Sequence, residues 1–287
     1  MKTKELLKKV RKIEIKTRRL SNHIFSGEYH SHFKGRGMTF SEVRKYQFGD
    51  DIRDIDWNVT AKLNEAHIKI FEEERELTMM LLVDVSKSES FGTRIQQKRD
   101  LITELCAVLS FSAIQNNDKV GVVFFTDQIE LFIPPKKGKS HILRIIRELI
   151  EFKPKGIGTN ISEAFKFLSS VIKKRSIVFT LSDFQDEAYD KNLKIASSKH
   201  DLTAIRIIDP AEEQLPDIGL VQLQNPETGT IGWVDTSSSV VRATYEKDYQ
   251  NFVANFKSYC THSGTDYLDL RVDLSYTKQL LEFFKRR

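Results

Sequence analysis

The amino-acid sequence predicts an α/β fold: a Rossmann-like, doubly wound, mostly parallel sheet, preceded by a helix and a small irregular or β-rich subdomain. Three observations predict it. Two short apolar runs, residues 79–83 and 177–181, end in acids, Asp84 directly and Asp183 one residue later. Runs this short, without alternation and with charge at their ends, fit strands covered on both faces. Between and beyond them lie segments with apolar residues at helical spacing, and strands alternating with helices imply a parallel sheet flanked by helices.

The elements follow in order. Leu6, Val10, Ile13 and Leu20 have helical spacing and predict an N-terminal helix with a solvated basic face. Residues 26–62 are dense in Gly, Asp and aromatics with little periodicity, which reads as loops and short strands. Residues 67–76 then lead into the first buried strand, which sets an N-terminal region at 1–76 and the main domain at 77–287. Ile95, Ile102, Leu105, Cys106 and Leu109 mark a helix face; residues 119–133 read as two strands turning at 126–128. Helices are expected over 141–152 and through Ile161, Ala164, Phe165, Leu168 and Ile172, then the strand ending in Asp183. A helix over Asp190–Lys199, a strand over 202–208 and an irregular stretch over 209–239 come next. Tyr245, Tyr249, Phe252, Phe256 and Cys260 define a long helix, and a strand near Leu268 and a helix over 276–285 close the chain.

The net charge of +5 is a property of the ends. Residues 1–20 alone hold nine Lys/Arg against two Glu, so the rest of the chain is slightly acidic. No aromatic residues interleave with the basic ones, which argues against nucleic-acid binding. No apolar run nears the roughly 20 residues of a membrane helix, and the first residues lack the apolar core of a secretion signal. Cys106 and Cys260 both fall on apolar helix faces, as buried thiols of a reducing compartment do. The expectation is a cytoplasmic protein without a transmembrane segment.

The chemistry gathers where the central strand ends. Asp84, Ser86 and Ser88 form Asp-x-Ser-x-Ser, and ligands of open α/β sheets bind outside the carboxyl ends of strands. Alternate residues of a tight turn can aim one carboxylate and two hydroxyls at one point, and oxygen-only donors select Mg²⁺ or Mn²⁺. Residues 156–160, GIGTN, add Thr159 and Asn160 before a helix, and residues 182–184, SDF, add Asp183. A plain capping loop is the competing explanation for Asp and Ser after a strand.

In this order, Asp-x-Ser-x-Ser, then Thr, then Asp, the chain resembles the von Willebrand factor A domain with its metal-ion-dependent adhesion site. The resemblance implies that Asp84, Ser86, Ser88 and Thr159 hold Mg²⁺ directly or through water, with Asp183 direct or at one remove. A partner carboxylate would complete the coordination. Glu89 stands where many such domains have Met or Gly, which leaves open whether that last position is free.

A longer string, Arg44-x-Tyr46-x-x-Gly49-Asp50-Asp51-x-Arg53-x-Ile55-Asp56-Trp57, resembles the domain-of-unknown-function fifty-eight family. That resemblance implies a non-enzymatic accessory or adapter of a MoxR-type AAA+ ATPase, with this ATPase and other von Willebrand A-domain proteins as partners. The alternative class is an enzyme, a Mg²⁺- or Mn²⁺-dependent phosphohydrolase or nuclease using the same oxygen cluster. It has few carboxylates to hold the ion and no evident general base.

Other motifs lead nowhere. Asp54, Asp56, Asn58 and Glu65 match positions of a calcium loop, but Val59 stands where the turn needs Gly. Asp50, Asp51 and Asp56 instead pair with Arg44 and Arg53 and cap turns, with Trp57 packing onto the domain. PPKKGKS, residues 134–140, imitates a phosphate loop, but Pro134 and Pro135 remove the N–H donors it needs. His30 and His32 lack further metal-type spacing, and neither Gly-x-Ser-x-Gly nor CxxC occurs.

Overall fold

The computed structural model describes residues 39–72, 77–86, 98–156, 158–186, 188–224 and 231–286. The expected N-terminal helix, His30, His32, Ser88 and Glu89 lie outside them. The chain divides into two compact units, one of them His30–Glu76 and the other containing Leu77–Arg287.

In the small unit, β1 (Thr39–Lys45) is followed by a 3₁₀ turn (Ile52–Asp54), α1 (Trp57–Leu63) and β2 (His67–Glu72), and β2 pairs antiparallel with β1. The helix departs from the reading of this region as loops and short strands. Asp56 caps it by accepting the N–H groups of Asn58 and Val59, and Asn64 closes it in the left-handed conformation. None of its residues is buried, so no apolar stripe announces it. Trp57, in the first turn of this helix, is 67 % exposed rather than packed down. The Arg44 guanidinium and Asp50 carboxylate form the expected fork, both contacts at 2.8 Å. Asp51 accepts the backbone N–H of Arg53 at 2.9 Å. The calcium-like positions are thus spent on a 3₁₀ turn and a helix cap.

The main unit runs β3 (Thr78–Asp84), α2 (Lys98–Gln115), β4 (Lys119–Phe125), β5 (Ile129–Lys136), α3 (Lys139–Glu151), α4 (Ile161–Val171), β6 (Ile177–Ser182), α5 (Asp190–Lys199) and β7 (Asp201–Ile208). It continues with β8 (Leu220–Gln224), β9 (Ile231–Asp235), α6 (Ser239–Ser263), β10 (Asp266–Arg271) and α7 (Tyr276–Arg286). Six strands form one sheet in the order β10-β7-β6-β3-β4-β5. All neighbours are parallel except the β4–β5 pair. This is the predicted mixed α/β class with a mostly parallel sheet.

Burial explains it. Every residue of β6, and β3 from Met79 onward, is buried, as a strand covered on both faces requires. On one face Met80, Leu82 and Val178 pack with Ile161 and Phe165 of α4, Leu193 of α5 and Phe256 of α6. Phe179, one residue on from Val178 and so on the opposite face, meets Phe284 of α7 edge-on. Each fully buried Leu, Ile or Phe contributes about 1.5–3 kcal/mol. Cys106 and Cys260 are buried free thiols, as expected.

Residues 209–239 are more regular than their sequence suggests. They hold a 3₁₀ turn (Pro210–Glu212), capped reciprocally by Asp209 and Glu212, and the antiparallel pair β8–β9. The phosphate-loop imitation ends here too, because Pro134 and Pro135 belong to β5, an edge strand where a missing N–H is tolerated. Among the described residues, no helix is long and apolar enough to cross a membrane.

The chain leaves central β3 for β4 and β5, then returns to lay β6, β7 and β10 on the other side of it. Strand order therefore reverses between β3 and β6, and their carboxyl ends carry Asp84 and Asp183.

Candidate functional site

Asp84 is the last residue of β3 and is 1 % exposed. Its Oδ1 accepts the N–H of Ser86 at 2.9 Å, and its Oδ2 accepts the hydroxyl of Ser182 at 2.7 Å. The Ser182 oxygen in turn accepts the N–H of Phe184 at 3.0 Å. Ser86 is buried beside Asp84, and Asp183, also buried, follows β6 and accepts the N–H of Gln185 at 3.2 Å. Burial above all, and then the charge of Asp183, push the Asp84 carboxyl up to about 7, against the hydrogen bonds from Ser182 and Ser86.

The third loop is tied to the same sheet edge. The N–H of Asn160 donates to the carbonyl of Thr126, just past the end of β4, at 2.9 Å. Asn160 caps α4 by accepting the N–H of Glu163, and the N–H of Ile161 donates to Asp186 at 2.8 Å. Thr159, partly buried, is thus held between the loops after β4 and β6. The structure brings Asp84, Ser86 and Asp183 together and sets Thr159 on the adjoining loop; Ser88 lies outside the described residues.

Three features were missed from sequence. Lys98 of α2, fully buried, places its ammonium 3.3 Å from Asp183 Oδ2 and 2.6 Å from Glu212 Oε1. Glu212 stands on the 3₁₀ turn after β7, its carboxyl raised by burial despite Lys98. Phe184 has φ +60°, a conformation that costs a bulky residue about 1–3 kcal/mol. It is kept there by Ser182 and by packing on Phe256, ring centroids 4.8 Å apart. Nothing in the spacing of Lys98 or Glu212 marks them, since their partners are 85 and 114 residues away along the chain.

What can such a site do? Among the described residues no group of three His, Cys, Asp or Glu side chains is arranged to hold a metal. The donor set consists of two carboxylates and nearby hydroxyls, all hard oxygen donors, which suit Mg²⁺ or Mn²⁺ and not softer ions. Two buried carboxylates near enough for one to raise the other are a place where a cation lowers the free energy of both. The residues present fit such an ion.

The family described as "Protein of unknown function DUF58" matches residues 42–254. An uncharacterized protein of Mycobacterium tuberculosis is 26 % identical over 281 residues, covering 97 % of this chain and 88 % of its own. Among solved structures, conserved hypothetical protein BatB from Bacteroides thetaiotaomicron is 14 % identical with a TM-score of 0.47, covering 73 % of this chain and 98 % of its own. The SpRpn10 VWA domain is 10 % identical with a TM-score of 0.40, covering 74 % of this chain and 96 % of its own.

Proposed function

Since the chain belongs to the DUF58 family, and carries two buried carboxylates at the point where its strand order reverses, we propose that it is a metal-dependent protein-binding module. In this reading it is a non-enzymatic, cytoplasmic accessory of a MoxR-type AAA+ ATPase. Asp84, Ser86, Ser88, Thr159 and Asp183 hold Mg²⁺, with Mn²⁺ as a substitute. The observation that carries the reading is the placement of two buried carboxylates, Asp84 and Asp183, at the carboxyl ends of the neighbouring parallel strands β3 and β6, where a hard cation would find oxygen donors from both.

The ion supplies a directional, reversible link to a partner carboxylate. The protein's own residues prepare the site. Ser182 and the N–H of Ser86 orient the Asp84 carboxylate, and the N–H of Gln185 orients that of Asp183. The hydrogen bonds through Asn160 and Ile161 fix the Thr159 loop against both neighbours.

Capture of the ATPase by the purified full chain, with Mg²⁺ and with chelator, tests the reading. Binding is expected only with Mg²⁺, and Asp84→Ala is expected to abolish it while circular dichroism stays unchanged. Equal capture with chelator, and by that variant, would sink the metal link.

A further inference from the structure

One buried cation is already built into the site. Lys98 Nζ is 2.6 Å from Glu212 Oε1 and 3.3 Å from Asp183 Oδ2, and its side chain is wholly inaccessible. Two buried carboxylates, Asp84 and Asp183, and the partly exposed carboxylate of Glu212 therefore follow one another, and the Lys98 ammonium lies between the second and the third. For fold stability such an arrangement adds little, because the desolvation of buried charges offsets most of their attraction, and apolar residues of equal volume serve as well or better. For ion binding it matters a great deal. A positive charge about 3.3 Å from a metal-ligating carboxylate opposes any second cation brought to that carboxylate, and in a buried site the opposition is weakly screened.

We infer that Lys98 is an internal counter-cation that competes with the divalent ion for Asp183, and that Glu212 sets the strength of this competition by drawing the ammonium away. Lys98 is a positioning residue: it acts on the ion through Asp183. The site is thereby tuned to weak, exchangeable cation binding. This inference rests on the metal reading above.

The contacts of Lys98 with Asp183 and with Glu212 give it a signature that a structural role lacks. Replacing the ammonium by an apolar chain of similar length removes a positive charge from beside Asp183 and Glu212, so Lys98→Met gains affinity for a divalent ion. Replacing Glu212 by glutamine removes the carboxylate 2.6 Å from the ammonium, so the ammonium bears more strongly on Asp183 and Glu212→Gln loses affinity. A generally loosened site would weaken in both.

Titration of the full chain with Mn²⁺, read by calorimetry and by the loss of the free-ion electron paramagnetic resonance signal, tests this. Lys98→Met is expected to bind about tenfold more tightly than wild type, and Glu212→Gln about fivefold more weakly, the scale of one buried charge on a neighbouring ionic equilibrium. Mn²⁺ is also expected to raise the melting temperature of Lys98→Met more than that of wild type. Wild-type binding with both variants unchanged, or both weakened, overturns the role of Lys98 and leaves the metal site standing. Absence of Mn²⁺ binding in wild type and both variants overturns the metal site and the inference together. Should Lys98→Met not fold, Glu212→Gln decides: unchanged or tighter binding in it overturns the inference.

Discussion

His200 ends α5 buried, with neither ring nitrogen hydrogen-bonded among the described residues. The contrast is His141, equally inside the protein, whose Nε2 lies 2.9 Å from the Val120 carbonyl. Burial first, and then the charges of Lys199 and Arg175, hold His200 below its ordinary value. In the folded state the ring is therefore neutral at pH values where an unfolded chain, with a pKa of about 6.5, has begun to take a proton. The unfolded state binds more protons in that window, so this group's contribution to stability is complete above pH about 6.5 and is lost as the pH falls through and below it. His200→Leu removes the group and both unpaired nitrogens. Urea midpoints of wild type minus variant, measured from pH 7.5 down to 5.5, are expected to stay level to pH about 6.5 and to decline below it. A pH-independent difference would show that His200 does not titrate on unfolding. Taking the difference matters, because Asp84, whose carboxyl is raised, contributes with the opposite sign.

Among elements, the β4–β5 pair has a second task. Glu130 of β5 accepts the N–H groups of Lys155 and Gly156, at 3.0 and 2.6 Å, and the hydroxyl of Thr126 at 3.0 Å. One carboxylate thus staples the segment that leads to Thr159 onto the edge hairpin. Gly156 allows it: a Cβ there would stand 1.9 Å from Asp127 Oδ1 and 2.1 Å from Thr126 Oγ1. Glu130→Ala is expected to speed hydrogen exchange of amides 155–160 at least about tenfold, the equivalent of about 1.4 kcal/mol of lost local protection, with β3 and β6 unchanged. Unchanged exchange at 155–160 would mean that the capping of α4 alone fixes the loop. The sequence made GIGTN visible but not its staple, for a reason that recurs in this chain. Buried strands and amphipathic helices such as α4 leave a period in the sequence, and those elements, with the acids at the ends of β3 and β6, were legible. Elements that bury little leave none: α1 buries no residue, and β9 is exposed along most of its length, so both sat inside stretches read as loops or irregular. Glu130, Lys98, Ser182 and Glu212 act on partners distant in sequence, and no local pattern carries them.

At the scale of the molecule, the sheet's reversal between β3 and β6 sets the cost and the use of the site. Packing two fully buried strands side by side brings the acids at their ends together in a place with little water. The ionised form of Asp84 is disfavoured there, so above pH about 7 this residue lowers the stability of the ion-free fold. Asp84→Asn keeps the shape and an acceptor for the Ser86 N–H but removes the charge. In chelator at pH 8 the variant is expected to melt higher than wild type, since the desolvation of a buried charge and its repulsion from Asp183 have gone and together outweigh the altered bond to Ser182. In excess Mg²⁺ the order is expected to reverse. A ligand at 100 times its dissociation constant stabilises a protein by about 2.7 kcal/mol, which for a unit of this size raises the melting temperature by about 5–10 °C. Wild type should gain that rise and Asp84→Asn should not. If Mg²⁺ moves both proteins equally, the ion acts elsewhere on the surface. If the variant melts lower than wild type even in chelator, Asp84 is held by its hydrogen bonds as a structural group, and the reversal of strand order carries no cation site.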